Sequence, residues 1–277
     1  MRGTRGNSGF ASLLLAVFGI AVLVFLVMPI FIVVPMSFSA TRFLSFPPTA
    51  LSTRWYLEFL GSPEWTRAAW VSLQIAFVTC LLATPIGIAA AYGIHSATGK
   101  LSRIAYTVLM MPLMVPHIIV AIGIFFIYAR VGANNTIVGI ILAHTMLAVP
   151  FVLITSLSGL QGFDMAQERA AQSLGANRLE AFLKVTAPQI KGSIIASALF
   201  AFVSSLDEVV VSLFLSGGAS STLPKRMFVA LRDEVDPTIA AISSMLIIAS
   251  LAIGLAAMVA TRKRAYVRPT PRKISSL

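Results

Sequence analysis

Charge is scarce in this sequence, and acidic charge is scarcer still. Only 11% of its 277 residues are charged, with 21 Lys and Arg against 10 Asp and Glu, while 57% are hydrophobic. Ordinary soluble domains carry about 25% charged residues. A water-soluble fold of this length could not hide so much apolar surface. The composition therefore excludes a soluble globular domain and indicates helices that face lipid.

Cysteine is nearly absent as well. Cys80 is the only one, which excludes a disulfide within the chain, and no CxxC or other zinc-ligand spacing occurs. His95, His117 and His144 are scattered without ligand spacing, so we expect no metal site. Cys80 lies in an apolar run, and we predict that it packs there as a small hydrophobic residue.

Long apolar runs are what the sequence has instead. A membrane span needs about 20 mostly apolar residues. Six runs reach that length, at 11–37, 68–93, 104–129, 136–160, 192–215 and 238–261. The first run is too long for the core of a signal peptide and has no small-residue cleavage site, so we interpret it as a retained helix. The fold class expected is all-α, with one transmembrane domain over 1–277.

Two prolines interrupt the third run. Pro112 and Pro116 should break or kink that helix. Backbone groups freed in this way can line a cavity, although a kink that serves packing alone fits the sequence equally well.

Basic residues predict the orientation. With the N-terminus inside, 14 Lys and Arg fall on the cytoplasmic side and 7 outside, and the inside set includes Arg2, Arg5 and the tail from Arg262. The positive-inside rule then places both termini of this multi-pass protein in the cytoplasm. The basic excess suits contact with anionic membrane lipid. Nucleic-acid binding would need basic residues interleaved with aromatics on one surface, and that pattern is absent.

The segment 161–191, between the fourth and fifth spans, carries two helix-start signals. Asp164 stands three residues before Gln167, and Asn177 stands three residues before Glu180, which is the spacing of a capping box. We therefore expect two short helices at the cytoplasmic face. An ordinary pair of interfacial helices that covers the end of the bundle would also fit this periodicity.

Residues 169–188 resemble the EAA loop of ABC importer permeases. That loop has Glu-Ala-Ala, then a glycine after three residues, then Ile-x-Leu-Pro after nine more. The positions that match it, or stand where its isoleucine is usual, are Ala170, Ala171, Gly175, Val185 and Pro188. Gly175 can end the first helix in the left-handed conformation, and Pro188 is expected to end the second.

The first position of the loop departs from the family. Arg169 occupies the place of the glutamate, and Glu168 precedes it. The resemblance implies that 161–191 forms a coupling helix, with Glu168 and Arg169 at its start, which docks into a groove of a cytoplasmic ATPase.

The chain itself has no P-loop. The nearest candidate, 93–100, has five residues between its glycines and Leu101 after its lysine, where four residues and Ser or Thr are required. No cofactor is therefore expected on this chain. The resemblance implies that ATP and Mg²⁺ bind a separate ATP-binding cassette ATPase dimer. It also implies a second homologous permease subunit and a substrate-binding protein, which would meet the loops 38–67 and 216–237.

Two adjacent acids interrupt the fifth run. A central Asp costs about 2.5–3.5 kcal/mol on insertion scales, so acids such as Asp207 and Glu208 indicate function by default. A single continuous helix would put Glu208 on a stripe with Ser204, Ser205, Ser212 and Ser216. We predict a substrate path along Asp207, Glu208, Ser204 and Ser212. The alternative is that both acids only pair with neighbouring helices.

The segment 205–212, followed by 223–227, is similar to the C-type permeases of polyamine importers. This resemblance implies the type I (MetI-like) importer fold, ATP-driven alternating access and a place in the bacterial inner membrane. Polyamine is the first choice of substrate, because carboxylates replace lost water around an ammonium group. Ferric iron, phosphonate and opine importers are related, so these substrates stay open. A self-contained proton-coupled carrier and a membrane scaffold are further alternatives, although no inverted repeat supports the carrier.

Overall fold

The computed structural model describes residues 8–43, 45–97, 99–233 and 236–262. Its helices are α1 (Ser8–Met36), α2 (Arg54–Gly61), α3 (Pro63–Ser96), α4 (Lys100–Met114), α5 (His117–Val131), α6 (Ile137–Gln161), α7 (Met165–Ser173), α8 (Arg178–Gln189), α9 (Lys191–Leu206), α10 (Val210–Leu215), α11 (Leu223–Asp233) and α12 (Thr238–Arg262). Arg2, Arg5 and the basic residues after Arg262, which the orientation prediction uses, lie outside the described residues.

Four of these helices are long and apolar enough to cross a membrane unbroken, namely α1, α3, α6 and α12. Two further pairs qualify only as bent spans, because α4 meets α5 at 99° and α8 meets α9 at 85°. The described residues thus hold four unbroken candidate spans, and six if each bent pair counts as one. The predicted six spans are therefore only approximately matched.

The third predicted span, 104–129, is broken at its second proline. Helix α4 tolerates Pro112 but ends at Met114, and Val115 is extended with φ −91° and ψ 133°. A residue before proline is pushed out of the α region by the ring, which explains why the break falls at Val115 and Pro116. The predicted break is confirmed.

The fifth predicted span, 192–215, is wrong as one continuous helix. Helix α9 ends at Leu206 and α10 begins at Val210. In a continuous helix the amide of Val211 would donate to the carbonyl of Asp207, four residues earlier. Here it donates to Oε1 of Glu208 at 3.0 Å. The glutamate thus takes the hydrogen bond that would have carried the helix through.

The described chain divides into two compact units, one formed by 1–63 and 229–249 and the other by 64–228 and 250–277. In the first unit, the chain after α1 folds back through an antiparallel bridge between Ser39 and Leu51. The buried indole of Trp55 donates to the Ser39 carbonyl at 2.7 Å, so the start of the 38–67 connection is firmly held.

The second unit is built around α6, the most buried of the four unbroken spans. One apolar cluster surrounds the start of α10 and includes Ile75, Ile140 and Val211. Another joins α6 to the segment 161–191 and includes Leu160 and Ile190. The first cluster positions the helix break before α10, and the second positions the segment 161–191.

Candidate functional site

Two helix breaks of the second unit lie against each other, and we call them the break site: residues 114–117 between α4 and α5, and 206–210 between α9 and α10. His117 Nδ1 is 3.5 Å from Glu208 Oε2 across them. Glu208 lies in a mostly apolar run, and only 8% of it is exposed. Broken membrane helices are tolerated where the freed groups are buried in protein or line a cavity, and such breaks commonly form substrate sites.

His144, in α6, contacts both sides of the break between α9 and α10. Its Nδ1 is 2.8 Å from the hydroxyl of Ser205, at the end of α9, and its Nε2 is 3.4 Å from the hydroxyl of Ser212, in α10. A neutral imidazole offers one donor and one acceptor, which matches two hydroxyls. The buried ring therefore connects both sides of the interruption.

The residues predicted for the substrate path differ in their surroundings. Glu208 and Ser212 are buried, Ser204 is half-buried, and Asp207 is exposed. No hydrogen bond or ion pair of the Asp207 side chain is found among the described residues. Ser205, Ser212 and Glu208 do converge, but His144 and the broken backbone bring them together, not one continuous helical face.

The C-terminal end of α10 is also held by hydrogen bonds. Lys225 Nζ donates to the carbonyl of Leu213 at 3.2 Å and to that of Ser216. A cation at a helix C-terminus is favourable, since the last carbonyls there lack partners. Partial burial lowers the pKa of Lys225. The amide of Asn135 donates to the Leu215 carbonyl at 2.9 Å. The short helix is thus held at both ends.

In the segment 161–191, one of the two expected capping boxes forms. Asn177 accepts from the Glu180 amide at 2.9 Å, and Glu180 accepts from the Asn177 amide at 3.2 Å. Asp164 caps α7 by accepting from the Ala166 amide at 2.9 Å. The capping box predicted between Asp164 and Gln167 does not form. The Gln167 side-chain oxygen instead accepts a hydrogen bond from Gln189 at 2.7 Å, which connects α7 to α8.

Of the two helix ends predicted in this segment, the one at Gly175 forms and the one at Pro188 does not. Gly175 has a φ of +98°, so the predicted left-handed conformation after α7 is confirmed. Pro188 does not end the second helix, since α8 continues to Gln189. The turn before it, Phe182–Thr186, is a π-helix, and the Ala187 amide donates to the Phe182 carbonyl five residues back. This wider turn accommodates the proline inside the helix.

Glu168 is the buried centre of this segment, at 1% exposed. The hydroxyl of Tyr92 donates to its Oε1 and the hydroxyl of Thr186 donates to its Oε2. Gln172 Nε2 adds a contact to Oε1 at 3.4 Å. Arg169, which stands at the first motif position, is exposed instead. The carboxylate thus faces inward from the position one residue before the motif.

The remaining motif residues lie outward or at the edge. Ala170, Gly175 and Pro188 are exposed, whereas Ala171 and Val185 are half-buried. Beside them three leucines are strongly exposed: Leu174 at 90%, Leu179 at 67% and Leu183 at 56%. Leu179 and Leu183 are one helical turn apart on α8 and line the same depression, and an exposed apolar patch of this kind indicates an interaction site.

Four residues of these regions were not assigned from the sequence. His117 and His144 carried a usable signal, because ionisable residues inside apolar runs mark functional or paired positions. Tyr92 and Thr186 carried none. A tyrosine near a helix end and a threonine in a short helix are ordinary, and only the fold brings them to one carboxylate.

Comparison with known proteins gives a consistent family. Residues 83–265 match the model of the binding-protein-dependent transport system inner membrane component. The spermidine/putrescine transport system permease protein PotC of Haemophilus influenzae is 31% identical over 247 residues, which cover 89% of this chain and 95% of that protein. The putrescine transport system permease protein PotI of Escherichia coli is 30% identical over 230 residues, covering 80% and 82%.

Solved structures show the same fold. A chain of a bacterial ABC transporter involved in the import of the acidic polysaccharide alginate aligns with a TM-score of 0.70 at 15% identity, over 94% of this chain and 99% of that chain. A chain of the MetNI methionine ABC transporter, in an inward-facing conformation, aligns with a TM-score of 0.60 at 17% identity, over 71% and 94%. The expected type I importer permease fold is thereby confirmed. With the family model matched over 83–265, this chain belongs to the inner membrane components of binding-protein-dependent transport systems.

Proposed function

We propose that this permease subunit of an ABC importer carries a polyamine, and that the break site binds the ammonium groups of the substrate. The observation that carries the choice of substrate is the 31% identity to a spermidine/putrescine permease over 89% of this chain. The break site supports it, because a buried carboxylate there suits a cation that has left water.

Glu208 has acceptor capacity to spare. An ionised carboxylate offers about four lone-pair sites. Glu208 accepts one backbone hydrogen bond at 3.0 Å, and His117 lies at 3.5 Å, beyond a well-formed hydrogen bond. An ammonium group from the substrate would complete its shell. Asp207 is exposed next to it, and we assign it to a second ammonium group or to the entry of the path, with Ser204 and Ser212 as neutral hydrogen-bonding groups.

The partners follow from the same proposal. The exposed leucines around Gly175 dock on a cytoplasmic ATPase dimer, which binds the ATP and Mg²⁺. A second permease subunit completes the path, and a binding protein delivers substrate to the loops on the opposite face. Both termini then lie in the cytoplasm. ATP binding closes the ATPase dimer and draws the 161–191 segments together, so that the break site opens outward; hydrolysis resets it.

Uptake by the complete transporter tests this function. The permease pair, ATPase and binding protein are reconstituted into sealed vesicles with Mg-ATP on the ATPase side, and labelled spermidine and putrescine are supplied on the other side. We expect saturable uptake that needs both ATP and the binding protein. Uptake of ferric iron or a phosphonate in preference to either polyamine would overturn the choice of substrate.

A second arrangement separates this function from that of a self-contained carrier. The chain is reconstituted alone, with a proton gradient and no ATP. We expect no spermidine accumulation. Accumulation driven by the gradient would contradict an ATP-coupled permease altogether.

A further inference from the structure

Tyr92 contacts both helices of the segment 161–191. It lies near the Ser96 end of α3, and its hydroxyl donates to Glu168 in α7. Its ring packs edge-on against Phe182 of α8, with centroids 4.9 Å apart. The guanidinium of Arg178, also in α8, lies over the same ring at 5.4 Å, and its Nε donates to the hydroxyl at 3.4 Å. One side chain of a long span thus holds both helices of the segment.

Glu168 completes this junction from the other side. Its second oxygen accepts from Thr186, which lies in the π-helical turn of α8. One carboxylate therefore joins three helices, and we call Tyr92, Glu168 and Thr186 the Glu168 cluster. Because the carboxylate is buried, releasing either hydroxyl would leave a charged oxygen poorly satisfied. Such a junction resists partial opening.

We propose that the Glu168 cluster makes the segment 161–191 and the Ser96 end of α3 move as one body, with Tyr92 and Thr186 as positioning residues for energy coupling. This rests on the proposed function, in which 161–191 receives the movement of the ATPase. Hydrogen bonds to a shared buried carboxylate are directional and costly to leave unmade, so they transmit displacement better than apolar side chains that can slide past each other. The movement then reaches the 34-residue helix α3 directly.

The first test is kinetic and uses the assembled transporter. Tyr92→Phe keeps the ring and removes the hydroxyl, and Thr186→Val keeps the shape and removes the other donor. Tyr106→Phe, an exposed tyrosine of α4, is the matched control. We expect each cluster variant to lower the maximal rate of spermidine uptake about tenfold, as loss of one charge-assisted hydrogen bond allows. The KM for spermidine should stay within about twofold, because the break site is untouched.

ATP hydrolysis supplies the second readout. Stimulation by the substrate-loaded binding protein should be lost in both variants, while unstimulated hydrolysis by the assembled ATPase continues. A merely structural role would instead lower the amount of assembled transporter and leave the stimulation per assembled complex intact. That result, or a raised KM at an unchanged maximal rate, would overturn the proposal.

A distance measurement tests rigidity without depending on the substrate. In the assembled transporter with a Cys80→Ala background, spin labels are placed at Leu174→Cys and Ile86→Cys, both exposed positions. Ile86 lies on the Ser96 side of Pro85, so a bend of α3 at that proline does not enter the distance. In the otherwise native protein, the distribution of distances between the two labels should be narrow and unchanged by Mg-ATP. In Tyr92→Phe it should broaden and shift on adding Mg-ATP. A native distance that already shifts as much as the variant's would refute one-body motion. Failure of the ATPase to bind the chain would instead refute the proposed function.

Discussion

Among the described residues two glutamates are buried, Glu168 and Glu208, and they differ in how far their carboxylate oxygens are hydrogen-bonded. Glu168 receives two hydroxyls, from Tyr92 and Thr186, and a weaker amide contact. Glu208 receives one backbone amide and faces a histidine at 3.5 Å. Both are nearly inaccessible, at 1% and 8% exposed.

This difference distinguishes a buried glutamate that stabilises the fold from one that can bind a ligand. A buried carboxylate whose oxygens are both filled by side chains stabilises the packing of its own helices. One that keeps free acceptor positions beside two helix breaks carries a cost, and such a cost is typical of a site that awaits a ligand. The comparison can be tested by changing each glutamate separately.

The largest effect is expected from Glu208→Gln. The change keeps the shape but removes the charge that an ammonium group needs, so spermidine uptake by the complete transporter should fall roughly 100-fold in kcat/KM. Labelled uptake into sealed vesicles measures it. Glu58→Gln, at an exposed glutamate of α2, serves as the control. Normal uptake by Glu208→Gln would remove this residue from the path.

Glu168→Ala should act on stability first. It leaves the hydroxyls of Tyr92 and Thr186 without their acceptor, which costs about 2–3 kcal/mol in the free energy of unfolding. Thermal unfolding of the purified protein in detergent measures the loss. Glu208→Gln should show almost no loss in the same assay. If both variants were equally destabilised, the contrast between the two glutamates would disappear.

Gly175→Ala should have a smaller effect, about 1–2 kcal/mol, because an L-residue at φ +98° is strained. No heavy atom lies within 4 Å of the added Cβ, so a clash plays no part. Gly93→Ala is the matched control, since Gly93 has equally open surroundings within α3. The free energy of unfolding of both variants is compared; equal values would show that the left-handed turn contributes nothing.

The smallest effect on stability is expected from breaking the hydrogen bond between His144 and Ser205 beside the break site. Ser205→Ala removes the partner of His144 Nδ1 and should cost about 1 kcal/mol. Ser204→Ala, at the half-buried neighbour, should cost less. Thermal unfolding compares the two. A larger loss at Ser204 would mean that the imidazole does not hold the break together.

Much of the scaffold was predictable from the sequence, since apolar length and composition depend on local physics. The runs at 68–93 and 238–261 each fall within one long helix, and the run at 136–160 does so except for Thr136, which caps α6. The proline break in the third run was also expected. The fifth predicted span was wrong as one helix, because a glutamate that accepts from an amide of the helix after it looks the same in sequence as one inside a continuous helix. Family membership confirms the predicted multi-pass inner-membrane transport subunit.

The sites were predictable only where the signal is local. Gly175 and the Asn177 box depend on neighbouring residues and were correctly predicted. The pairing of His117 with Glu208, separated by 91 positions, and of Tyr92 with Glu168, by 76, depends on how helices pack. The roles predicted for Asp207, Glu208, Ser204, Ser212 and the motif residues stay predictions until the uptake measurements are made.

The π-helical turn Phe182–Thr186 lets this junction hold one residue more than a regular helix would. A π-turn closes its hydrogen bond over one more residue than an α-turn, so the residues on either side of it face nearly as they would in an uninterrupted α-helix. Deleting one residue at 183–185 should therefore restore an ordinary α-turn and leave Thr186 facing Glu168. The same deletion elsewhere in α8 would turn the later residues by about 100° relative to the earlier ones. A one-residue deletion should accordingly be better tolerated in this turn than in the rest of α8.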